Sequence, residues 1–130
     1  MRDKQPNKNN TYYLPNTLYR RILSIVRDYD RRCAERETVL YGTGNFEEGM
    51  PRCSEPGHPV ERAAIKLTQI EQEIIAVDRA LDQIPSEYAR YIFDNVRYGQ
   101  PYPLDYAARN TWSRWRSRFL YFVAKNMNLL

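Results

Sequence analysis

The chain has 130 residues, 20 Lys and Arg against 16 Asp and Glu, a net charge of +4, and 42% apolar residues. That length suits one domain, or two small helical lobes sharing a core, and it can bury enough apolar surface to fold without staples. No apolar run of about 18 residues is present, so no membrane-spanning helix is expected. Two cysteines, Cys33 and Cys53, are too few for a disulfide framework.

Residues 1–13, MRDKQPNKNNTYY, are polar, with a proline at position 6, and read as a flexible tail. They lack the apolar core of a secretory signal, so a cytoplasmic location with reduced thiols is expected. A first helix is predicted from Pro15 or Asn16 to about Leu40, capped by Asn16 or Thr17. Leu18, Ile22, Ile25, Val26 and Tyr29 recur along it at helical spacing and give it one apolar face. Arg20, Arg21, Arg27, Arg31, Arg32 and Arg36 lie opposite, interleaved with Asp28, Asp30, Glu35 and Glu37. Such interleaving suits pairing on a solvated face, with a second phosphate contact as the alternative.

Residues 41–60 hold four glycines and three prolines and read as a long loop spanning 41–58. Cys33, Cys53 and His58 lack the paired spacing and the fourth ligand of a structural zinc site, so no metal is expected. A second helix is predicted from about Pro59 to Gln83, with a proline suited to its first turn. Ala63, Ala64, Leu67, Ile70, Ile74, Val77 and Leu81 mark its apolar face. Helices one and two would form an antiparallel hairpin over 14–83. The same spacing allows a short coiled-coil seam between two chains, so a homodimer stays open.

Ile84-Pro85 ends that helix, and Ser86-Glu87 starts a third, running through Tyr88, Tyr91, Ile92 and Val96 to about Tyr98. Gly99-Gln100-Pro101-Tyr102-Pro103 forces a turn, because its prolines can neither continue a helix nor pair in a central strand. One helical turn is expected over Asp105 to Asn110. The final helix, Trp112 to about Met127, would be capped by Asn110 or Thr111.

The net charge is confined to the carboxyl end. Residues 105–130 contain Arg109, Arg114, Arg116, Arg118 and Lys125 against Asp105, a surplus of four that equals the charge of the whole chain. On a helical wheel Trp112, Trp115, Phe119, Phe122 and Val123 cluster, with Leu120 and Met127 at the margin; Thr111, Arg114, Arg118, Tyr121 and Lys125 point away. The aromatic stripe is core material, and Trp115 and Trp112 are expected to bury against helix three. Arg116 falls within the apolar arc, where it would pair with an acid of another helix or run its stem along the core.

Helix, Pro/Gly turn and cationic helix together give an all-α fold whose residues 84–130 form a helix-turn-helix lobe. In that geometry the N-terminal residues of the second helix meet base edges in the major groove of double-stranded DNA. Thr111, Ser113, Arg114, Ser117 and Arg118 are the candidates for groove contact; Tyr121 and Lys125, farther along, would meet the backbone. Catalysis has little support. The acidic pairs Asp28/Asp30, Glu47/Glu48, Glu71/Glu73 and Asp78/Asp82 read as loop or solvated positions, and His58 has no identifiable nucleophile or orienting group. No catalytic residue and no cofactor is expected.

The segments TYYLPNTLYRRILSIVRDYDRR, IPSEY, YGQPYP and NTWSRWRSRF resemble the small RinA-type transcriptional regulators of phages and prophages of Gram-positive bacteria, over most of the chain. The C-terminal third also resembles sigma factor region 4. By position, Ile84-Pro85 matches the Leu-Pro that opens the sigma helix pair, and Thr111 to Lys125 matches its recognition helix. PYPLDYAAR is shorter than the full helix that sigma region 4 places between turn and recognition helix. The resemblance implies a sequence-specific regulator, an activator of phage late genes, with double-stranded DNA as partner and RNA polymerase contacted through helices one and two. The competing reading is a phage adaptor whose basic helix meets an acidic surface on host RNA polymerase or a packaging component.

Overall fold

A computed structural model describes residues 5–6, 8–41 and 59–130. Five helices account for the described secondary structure: α1 (Asn16–Arg27), α2 (Tyr29–Tyr41), α3 (Pro59–Asp82), α4 (Ser86–Tyr98) and α5 (Arg109–Asn126). The described part of the chain is all-α. Residues 42–58, including Cys53, His58 and most of the predicted loop, lie outside the described residues.

The single first helix expected up to Leu40 is two helices. Asp28 departs from helical geometry at φ −92° and ψ 3°. Its N–H donates to Ser24 O at 3.0 Å while its own carbonyl accepts from Arg32 N at 2.9 Å, so the chain bends here with its main-chain bonds kept. The cause is a change in what each half buries. Tyr19, Ile22, Leu23, Ile25 and Val26 of α1 are buried in the core, whereas no residue of α2 is. Nor does a side chain cap α1: Pro15 stands at its N-cap, not Asn16 or Thr17.

The hairpin partner of α3 is therefore α2. Going up α2, the Tyr29 hydroxyl donates to Asp78, Arg32 pairs with Glu73 at 2.9 Å, and Glu35 pairs with Lys66 at 3.2 Å. The partner numbers fall as those of α2 rise, which makes the two helices antiparallel. Arg31 and Arg32 also bond Asp28 and Glu35 within α1–α2, as the interleaved charges predicted. Ile70, Ile74 and Val77, offered as an inter-chain seam, are 0–2% exposed within the chain itself.

One core joins the rest. It takes residues from α1, the C-terminal half of α3, α4 and α5, together with Leu14 and Ile84. Pro85 ends the α3–α4 corner and accepts the Tyr88 and Ala89 amides, opening α4 as predicted. At the other end of α4, Gly99 takes a left-handed φ of 73° and donates its N–H to Asn95 O. Arg97 lies 3.6 Å over the Phe93 ring and pairs with Asp30, tying α4 to α2.

Candidate nucleic-acid interface

The turn that presents α5 is held from inside by one amide. Buried Asn95 donates through Nδ2 to Gln100 O at 2.7 Å and accepts the Tyr102 hydroxyl at 3.0 Å. Tyr102 then stacks on Trp112, with rings 5.0 Å apart and 3° from parallel. Burial pushes the Tyr102 phenol up to about 12, so it stays protonated as a donor. Tyr88 and Tyr91 meet the same indole edge-on at 5.2 and 5.7 Å. The indole Nε1 donates to Ala107 O at 3.1 Å. Nothing in the charge pattern pointed to Asn95; its place four residues before a left-handed glycine was the available signal.

This anchoring replaces the expected side-chain cap. Helix α5 starts at Arg109, ahead of Asn110 and Thr111, with Ala108 as N-cap and no side-chain bond there. The Ala108 carbonyl accepts both the Thr111 and Trp112 amides. The first turn carries no acid, although Asp105 is exposed in the preceding turn. An uncapped, solvent-facing helix start with arginine beside it favours an anion.

The predicted contact residues divide into two groups along α5. Ser113, Arg114 and Lys125 are exposed, as are Arg109 and Asn110, while Thr111 and Ser117 are half-buried. The Ser117 hydroxyl donates back to Ser113 O at 3.0 Å. Arg118 and Tyr121 do not point freely outward. The Arg118 guanidinium sits between the Tyr12 ring at 5.0 Å and the Trp115 ring at 4.9 Å. Tyr12 also meets Tyr121 edge-on at 5.1 Å. The wheel was correct about the helix, but a segment expected to be a loose tail lies across its outward face.

Behind that face Trp112, Phe119, Leu120, Val123 and Ala124 are buried, while Trp115 and Phe122 are half-buried. Arg116 is buried, and its Nη1 donates to the Tyr19 hydroxyl of α1 at 2.7 Å. Elsewhere, α1 exposes Arg20 and Arg21, whereas Arg27 donates through Nε to Val96 O at 3.1 Å.

No protein-family model, curated protein or solved structure matches this chain. The likeness to RinA-type regulators and sigma region 4 thus rests on the sequence segments alone. Among the described residues no group of His, Cys, Asp and Glu is arranged to hold a metal ion, and no helix is long and apolar enough to cross a membrane.

Proposed function

We propose that this chain is a sequence-specific double-stranded DNA-binding regulator of transcription that presents the N-terminal half of α5 to the major groove. The observation carrying the proposal is Arg114. It is exposed beside Ser113, one turn in from an uncapped helix start, on a helix pinned from behind by the fully buried Trp112. A planar guanidinium there matches the two acceptors of guanine, while the Arg109 side chain and the uncapped start of the helix suit a phosphate. Arg118 and Tyr121 are removed from the groove-reading set by Tyr12, and Lys125 is left to the backbone. The resemblance to RinA-type regulators and sigma region 4 supports the same reading and its finer form, activation of phage late genes with contact to RNA polymerase.

The test is selection of bound duplexes from a random pool at physiological salt, followed by Arg114→Ala. The variant is expected to lose about 1–3 kcal/mol on the selected duplex and to discriminate less at one base position. Equal loss on every duplex would reduce Arg114 to a phosphate contact, and a pool with no enriched sequence would remove the proposal. The adaptor reading is favoured by Leu40, Ile65 and Ile75, which are 43–56% exposed on the α2–α3 hairpin. Stoichiometric binding to purified RNA polymerase in the absence of nucleic acid, together with a duplex pool that shows no enriched sequence, would establish it.

A further inference from the structure

The segment covering α5 is built to stay in place. The Gln5 side chain accepts the Leu14 N–H at 3.0 Å and donates to Leu14 O at 2.8 Å. Leu14 itself is 1% exposed, so one end of the segment is planted in the core. Between them Asn10 accepts the Tyr12 amide on its side chain at 2.8 Å and the Tyr13 amide on its carbonyl at 3.1 Å, which closes a tight turn. Tyr12 projects from that turn onto Arg118, Tyr121 and Phe122. The Arg118 Nε is buried with no hydrogen-bond partner. Two rings flank this guanidinium, so it works as a post on which the turn rests.

The other side of the turn faces solvent: Lys8, Asn9, Asn10 and Thr11 are all exposed. A segment evolved to block a polyanion site would bring carboxylates to the arginines. The described residues of this segment, 5–6 and 8–14, bring an aromatic ring to Arg118 and carry Lys8 with no carboxylate. Its charge adds to that of α5 instead of neutralising it.

We infer that the turn at residues 8–11 is a second contact of the polyanion-binding face, resting on the DNA-binding reading above. Lys8 neutralises a backbone phosphate flanking the site read by α5, and Asn9 and Thr11 hydrogen-bond phosphate or sugar oxygens. Arg118 and Tyr121 are positioning residues: they hold the turn through Tyr12, one helical turn along α5 from Arg114, and touch no nucleotide themselves.

The experiment is a salt series of binding isotherms on the selected duplex, with the full-length protein, Lys8→Ala, Tyr12→Ala, Tyr12→Phe and Arg114→Ala. Lys8→Ala is expected to lower the slope of log affinity against log salt by about 0.9, one phosphate's worth, and to weaken all duplexes alike. Because Lys8 is exposed, its melting temperature should not move. Tyr12→Ala should lower the slope similarly, and Tyr12→Phe, which keeps the ring, should not. An unchanged slope in Lys8→Ala, with Arg114→Ala still losing sequence discrimination, would overturn this inference and leave the DNA-binding reading standing. Tighter binding by Tyr12→Ala would overturn it in the other direction, making the segment an inhibitor. A full-length protein that binds no duplex at any salt would remove both.

Discussion

Trp112 shows how one side chain sets the position of a surface it never reaches. It is 0% exposed, stacked on Tyr102, edged by Tyr88 and Tyr91, and bonded to Ala107 O. Truncation removes the largest fully buried side chain of the molecule's described core and leaves the half-buried Ala107 carbonyl without that donor. Trp112→Ala is expected to cost about 3–5 kcal/mol in denaturant unfolding. Trp115→Ala should cost clearly less, because Trp115 is half-buried and packs against Tyr88 and Arg118. The sequence weighted the two tryptophans alike; equal losses in the two variants would show that the half-buried ring carries more than its packing indicates. Arg116 could be placed inward from its wheel angle, but its partner on α1, Tyr19, could not be read from that angle.

At the scale of elements, the connection from α4 to α5 decides where the cationic helix begins. Gly99 is needed for its left-handed backbone alone: a Cβ built there meets nothing within 4 Å. Gly99→Ala is therefore expected to lower stability by about 1–2 kcal/mol through strain, with no clash to relieve. A fall in the denaturation midpoint at unchanged m-value is the signature, and an unchanged midpoint would mean the turn has shifted. The Gly-Gln-Pro-Tyr-Pro turn was legible because proline and glycine act locally. The break at Asp28 was not, since Asp is tolerated in a helix; what bends the chain there is that α1 enters the core and α2 leaves it for α3.

For the whole molecule, the helices are joined by charged pairs and by buried phenols, and these give stability an acid and an alkaline limit. The Arg31 side chain bonded to Asp28 holds that carboxyl below its ordinary value, and Arg32 with Lys66 does so for Glu35. A carboxyl whose pKa is lower in the folded state stabilises above its unfolded value of about 4, and the contribution is lost as pH falls through the folded value. Tyr102 is the opposite case. Its pKa rises from 10.0 to about 12 through burial, so its contribution is complete below 10 and disappears as pH climbs toward 12. Unfolding free energy measured against pH should thus be level between about 5 and 9, fall on both sides, and lose its alkaline limb partly in Tyr102→Phe. An alkaline limb identical in wild type and Tyr102→Phe would place that loss in other phenols.

The sequence by itself determined the helical class, most helix limits, the confinement of net charge to the last helix and the inward turn of Trp112 and Phe119. Each of these follows from near neighbours: a period of 3.6, a proline, a glycine, a count of charges. Tertiary structure alone decided that α2 and not α1 pairs with α3, that Asn95 holds the turn, and that Tyr12 covers Arg118 and Tyr121. A wheel separates the two faces of one helix, but it carries no information about which remote segment packs on either face. Tyr12 and Tyr121 are 109 positions apart, and the core that Leu14 shares with α5 brings them together.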